Sequence, residues 1–196
     1  MRRFLRGPGR GRRGLRGGLR TGLRLGELRA LRWQDVDLVV GRIRVVQSAW
    51  EETIGTTKTD RAREVPLGDD VLEALKTHRH LRGPFVFCQS TGKYAGELLP
   101  RDRCNWPLWR ACKRAGLRHV GWHVLRHSFA SNLVILGASL KVVQELLGHT
   151  SITMTMRYAH LSKNVARDAV RLLDRATTWH QCGTNGGAAP QPTGTA

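Results

Sequence analysis

From Thr21 onward the apolar residues recur at intervals that mark out elements. In LRLGELRALRW, Leu25, Leu28 and Leu31 fall on one side at helical spacing. DVDLVVGRIRVVQSA then carries β-branched runs broken by Gly41, which reads as two strands and a turn. A Gly/Thr/Lys/Asp stretch, residues 55–60, leads into REVPL, a third strand ending at Pro66. Residues 36–67 thus predict a small three-stranded antiparallel sheet. Asp69 and Asp70 are placed to cap a helix through VLEALKTH. PFVFC reads as a short buried strand or extended segment, and a helix over 106–115 ends at Gly116. The last third is helical. Residues 123–136 keep Leu125, Phe129 and Leu133 on one face and stop at Gly137; Ser139 caps LKVVQELL, which stops at Gly148. Ser151 opens a short segment carrying Tyr158, and an amphipathic helix over 162–176 turns Val165, Ala169, Leu172 and Leu173 inward. The class expected is α+β, mostly helical.

The ends lack such periodicity. Residues 1–20, MRRFLRGPGRGRRGLRGGLR, are too poor in apolar residues to pack, and residues 179–196 are rich in Gly, Pro, Thr and Ala. Both read as disordered, a leader and a tail around one domain over residues 21–178. The leader holds a formal GxGxxG (Gly9, Gly11, Gly14), but no strand precedes it and no helix-forming segment follows directly. A dinucleotide site is therefore discarded, while an Arg/Gly tail for nucleic acid stays open.

Charge narrows the partner. The 196 residues carry a formal +18, and the first twenty contribute eight arginines and no acid, which leaves +10 for the rest. A polyanion is indicated, nucleic acid ahead of an acidic membrane surface. No apolar run approaches the about 20 residues that cross a bilayer, and the N-terminal arginines have no apolar stretch behind them, so no membrane partner and no secretory signal is expected. Cys88, Cys104, Cys112 and Cys182 share no CxxC pair and no His/Cys ligand spacing. That argues against structural zinc or a disulfide framework and for reduced thiols in the cytoplasm.

The densest chemistry is HVLRHSF, where His123 and Arg126 stand three apart on a helix and share a patch. A guanidinium beside an imidazole suits a phosphodiester, one forking onto the non-bridging oxygens and the other moving a proton. By itself the pair also describes an ordinary solvated face. Further pieces add to it: Arg24 heads an amphipathic helix with Glu27 three residues on, Lys58 lies in a turn between strands, His149 follows a helix end, and Tyr158 comes nine residues later beside Arg157. The set contains no acidic cluster to hold Mg²⁺, so neither metal nor cofactor is expected. Cations neutralising a pentacoordinate phosphate while a phenolate attacks it is a reaction this set can perform.

TGLRLGE, the lysine turn before VPL, HVLRH, and LLGH followed by the tyrosine resemble, in order and spacing, the motif series of the tyrosine recombinase (phage integrase) family across residues 21–176. The resemblance implies the family's catalytic-domain fold, that of the DNA breaking-rejoining enzymes. It also implies that Arg24 and Arg126 clamp the scissile phosphate, and that Lys58 protonates the leaving 5′ oxygen. His123 would act in proton transfer with the nucleophile, His149 would hydrogen-bond a phosphate oxygen, and Tyr158 would form a 3′-phosphotyrosyl bond. Glu27 would support Arg24 rather than catalyse, and Arg24, Lys58, Arg126 and Arg157 would contact DNA. The implied partners are double-stranded DNA, further copies of the chain in a tetramer on DNA, and accessory DNA-bending proteins, in a prokaryotic cytoplasm at the nucleoid.

Other residues get plainer readings. Tyr158 is expected on a weakly helical segment that delivers it to phosphate rather than burying it. His127 points about 100° round the helix from Arg126 and suits packing or support. His160 has no role, Tyr94, His78, His80 and His119 read as surface, Met154 and Met156 are expected to pack the tyrosine's segment on the core, and Trp122 faces either the site or DNA. Family members usually carry a helical core-binding domain ahead of the catalytic one; nothing of the kind is read before Thr21, so the chain reads as a truncated integrase or as a reading frame entered late or frameshifted. The rivals are a type IB topoisomerase-like relaxing enzyme, a catalytically impaired DNA-binding remnant, and an RNA-binding Arg/Gly protein.

Overall fold

Leu28 and Leu31 turn inward together in the computed structural model, which describes residues 20–57, 62–161 and 170–171. The chain divides into two units, Met1–Ser162 and Lys163–Ala196. In the second, Val170 and Arg171 are helical and exposed. The leader apart from Arg20, the tail, the 162–176 helix apart from those two residues, and Lys58 lie outside the described residues.

Helix α1 (Leu25–Ala30) leads through a 3₁₀ turn (Trp33–Asp35) into the sheet. Strands β1 (Val36–Asp37), β2 (Arg42–Val45) and β5 (Arg63–Pro66) pair antiparallel in the order β1-β2-β5, with Ile43 opposite Val65. This is the expected three-stranded sheet. The structure adds a separate hairpin, β3 (Gln47–Trp50) with β4 (Thr53–Thr56), which absorbs Gly55 and Thr56 from the stretch read as a loop. Only Ala49 of that hairpin is buried, so no alternation announced it. Its turn is fastened by Arg29, itself buried, whose Nη2 donates to the Glu51 carbonyl at 2.5 Å and whose Nε donates to the Leu99 carbonyl at 2.7 Å.

The helices follow the pattern with local corrections. Helix α2 (Asp69–His78) starts after Gly68, so Asp69 and Asp70 lie inside its first turn and make no cap; Asp70 instead pairs with Arg20 at 3.0 Å. Helix α3 (Arg101–Ala115) begins five residues before the expected start, with Pro107 inside it. A mid-helix proline deprives only the Arg103 carbonyl of its bond, while Cys104 and Leu108 anchor the same face in the core. Helices α4 (Trp122–Ile135), α5 (Leu140–Leu147) and α6 (Thr153–Met156) complete the series, with the Ser139 side chain capping α5.

Three apolar clusters hold these elements. The first gathers α1, the sheet, α2 and Val86; the second joins Leu108, Ala111 and Cys112 of α3 to Leu125 of α4; Trp122 packs against both. His78 and His80, read as surface, turn towards the Val86 carbonyl through Nε2 at 2.8 and 3.1 Å, and His78 is buried. The third cluster contains Ala130, Val134, Val143, Leu147 and, against expectation, Tyr158, which is 5% exposed. Met154 and Met156 face outward while Thr155 between them is fully buried. The reason is polar: the Thr155 hydroxyl sits 3.0 Å from His149 Nδ1, and a four-residue helix turns only one such position inward. Tyr94 is exposed, as read.

Candidate active site

Arg24 stands at the N-terminus of α1 in an extended conformation (φ −69°, ψ 153°). Glu27 reaches back one turn and accepts both the Arg24 backbone N–H (2.8 Å) and its Nη1 (2.9 Å), which fixes the guanidinium. A third residue completes the arrangement. Arg63, at the start of β5, forks onto the same carboxylate with Nη1 at 3.0 Å and Nη2 at 2.7 Å, while its Nε donates to the Leu146 carbonyl at 3.0 Å. Burial alone would raise the Glu27 carboxyl, but the Arg63 bonds and charge, with those of Arg24, hold it below its ordinary value.

Arg126 projects from α4 between two chain segments. Nη1 donates to the Gly22 carbonyl and Nη2 to the Leu147 carbonyl, both at 2.6 Å. Gly22 makes this approach possible: its φ is +65°, and a Cβ there would lie 2.5 Å from the Phe129 ring. Burial first, then the neighbouring Arg24, pushes the Arg126 guanidinium down to about 9, which leaves it charged at neutral pH.

The histidines differ in partner. His149 follows the end of α5 and holds Thr155; burial, then Arg126, Arg24, Arg63 and His127, lower it to about 4, so its ring is neutral at pH 7. His127 places Nδ1 2.5 Å from the Tyr158 hydroxyl. Burial, then Arg157, His123 and Arg126, lower His127 as well. The phenol shifts the other way, raised by burial against the opposing pull of Arg157 and Arg126.

Arg24, His123, Arg126, His127, His149, Thr153, Met154 and Arg157 line one open cleft of about 510 Å³. Of the residues singled out in the sequence, Arg24, His123, Arg126, His149 and Arg157 meet there. Glu27 stands behind Arg24, Tyr158 lies against His127, and Lys58 is outside the described residues. Sequence reading passed over Arg63 and gave His127 only packing or support. Each had a signal: Arg63 shares the inward face of β5 with Val65, two residues on, and His127 shares a helix face with His123, four residues back. A cleft lined by three guanidinium groups and three imidazole rings is built for an oxyanion.

The pattern of the phage integrase family matches residues 16–165. The chain belongs to the phage integrase family. As a family member it is 37% identical over 151 residues to a tyrosine recombinase of Thermosipho africanus, covering 76% of this chain and 49% of that relative. The tyrosine recombinase XerD of Staphylococcus epidermidis strain ATCC 12228 is 36% identical over 154 residues, covering 74% and 48%. The Tn1549 transposon integrase, solved in complex with a circular intermediate DNA, shares the fold of this integrase-family chain at a TM-score of 0.71 and 23% identity, covering 87% of this chain and 61% of that one. The chain spans about half the length of the curated relatives it matches.

Proposed function

We propose that the protein is a site-specific DNA recombinase that cuts and rejoins double-stranded DNA through a 3′-phosphotyrosyl bond on Tyr158. The observation that carries this reading is the cleft itself: Arg24, Arg126 and Arg157 converge with three histidines, and Tyr158 touches one of them. Arg24 and Arg126 set positive charge against the non-bridging oxygens and favour the more highly charged pentacoordinate state. Arg126 can do so while holding two carbonyls, because each Nη carries a second N–H. A neutral His149 adds one hydrogen bond without repelling the guanidiniums beside it. Lys58 is the proton donor to the 5′ oxygen, a group that leaves poorly as alkoxide. Retaining the bond energy as a phosphotyrosine lets a new 5′-hydroxyl reseal the strand. Assembly as a tetramer on DNA, accessory DNA-bending proteins and a place at the nucleoid belong to the same proposal and rest on the family resemblance.

The test is covalent capture. Incubation with duplex DNA is expected to leave a denaturant-resistant protein–DNA species that Tyr158→Phe abolishes. An adduct that persists in Tyr158→Phe would refute the nucleophile. The Tn1549 integrase named above, which has the same fold, is in complex with a circular intermediate DNA, which supports the choice of DNA as substrate.

A further inference from the structure

Tyr158 turns its hydroxyl away from solvent and against a single imidazole. Its oxygen lies 2.5 Å from His127 Nδ1, the two rings are 6.0 Å apart at 49°, and the tyrosine is 5% exposed. His127 also lines the cleft, so one ring spans the phenol and the space where phosphate would sit. His123 lines the cleft too, but among the described residues no hydrogen bond joins it to Tyr158. The family resemblance gives His123 the proton transfer; the contacts favour its neighbour one turn on.

We propose that His127 is a catalytic residue, the base that takes the Tyr158 proton as the phenol attacks phosphate and returns it when the strand is resealed. This rests on the recombinase reading above. A general base must stand within hydrogen-bond reach of the proton it removes, and among the described residues His127 does. Its Nδ1 must be unprotonated at working pH, with the ring's one proton on Nε2. The groups facing it are His123 and Arg126 from its own helix, Arg157 and Tyr158 from the segment after α6, and His149 from the loop after α5. With burial, these keep the ring neutral, and no carboxylate among them would hold a proton on it. The incoming phosphodiester brings the negative charge that makes an imidazolium tolerable, so the base strengthens when substrate binds.

The step balances. The bond from the tyrosine oxygen to phosphorus forms as the bond from phosphorus to the 5′ oxygen breaks. The phenolic proton passes to His127 Nδ1, and the 5′ oxygen takes a proton from the Lys58 ammonium. In resealing, the 5′-hydroxyl gives its proton back to Lys58 and displaces the phenol, which recovers its proton from His127.

Two measurements test this. The chain has two tyrosines, so Tyr94→Phe leaves Tyr158 as the only one. With that residue ¹³C-labelled at Cζ, its resonance is expected to shift as His127 titrates, and His127→Gln, which can still accept a hydrogen bond, should remove that step while the rest of the spectrum stays folded. The second measurement uses duplex DNA of randomised sequence with a bridging 5′-phosphorothiolate, whose sulfur departs without an acid, so that Lys58 has no bearing. His127→Gln should slow adduct formation by ~10²–10⁴-fold near neutral pH and make the rate climb about tenfold per pH unit, as hydroxide replaces the base. The unsubstituted protein should level off above the His127 pKa, and His123→Gln should keep that levelling. A merely structural His127 would lower the rate without changing the profile. That result, or hydroxide dependence appearing in His123→Gln instead, would overturn the proposal. A complete lack of adduct would count against the recombinase reading, and a Tyr158 resonance indifferent to His127 would then overturn the base assignment independently.

Discussion

Arg63 illustrates how a residue outside the cleft controls one inside it. It supplies two of the hydrogen bonds to the Glu27 carboxylate, whose side chain is 1% exposed, and Glu27 in turn aims Arg24. Arg63→Ala would leave that carboxylate buried with Arg24 as its remaining partner. The expected cost is about 3 kcal/mol, the size of a broken buried ion pair, read as a lower urea midpoint; Arg63→Lys should recover only part, because an ammonium cannot fork onto both oxygens. Acid sensitivity follows from the histidines. His149 and His127 are held below their ordinary values, so the unfolded chain binds protons that the folded chain refuses. Their contribution is complete above about pH 6.5 and falls away below it, that of His149 as pH falls towards about 4. Glu27 has the same sign of linkage in a lower window, its contribution fading only as pH falls below the ordinary carboxylate value of 4.5. Melting temperature should therefore drop between pH 6.5 and 4.5, and His149→Asn should flatten that drop; an unchanged slope would mean that His149 is not held neutral. At this scale the sequence disclosed the residues that end helices or repeat along them, such as Arg24, Arg126 and His149. It hid Arg63 and left His127 with no more than packing or support, because their partners lie 36 and 31 residues away.

Helix α1 and strand β3 meet more closely than any hydrophobic pattern implies. A Cβ on Gly26 would lie 2.5 Å from Ser48 Oγ and 2.6 Å from the Ala49 carbonyl oxygen, and the latter is backbone that cannot step aside. Gly26→Ala should cost on the order of 2–3 kcal/mol by overpacking. Gly55→Ala, in the same hairpin but with nothing within 4 Å, should stay within about 0.5 kcal/mol. Equal effects in denaturation would show that the hairpin does not press on α1. The hairpin was invisible beforehand because one inward Ala49 gives no alternation, whereas α5 was legible to the residue, with Ser139 and Gly148 marking its limits. Tyr158 escaped for a related reason: a tyrosine in a polar segment carries no sign of the apolar cluster waiting for its ring.

For the whole molecule, charge is the controlling property. With a formal +18 and arginines on the cleft wall, DNA affinity should rest on phosphate contacts. Between about 50 and 200 mM salt the binding constant should then fall by ~10³-fold or more, and a shallow slope in a filter or anisotropy titration would exclude a phosphate-dominated grip. Class, the order of the helices and the sign of the partner could be read from composition and periodicity. The way the start of α1, helix α4 and the segments after α5 and α6 meet at one cleft could not, because it depends on contacts between distant segments. One of those contacts bears on how inactive variants are understood. Arg126 ties the Gly22 turn to the end of α5 with the same guanidinium that faces the cleft. A lysine there could neither span both carbonyls nor present a planar cation, so lost activity at position 126 mixes a loosened framework with a missing charge. Only variants whose melting curve matches the parent can be scored as defects of chemistry.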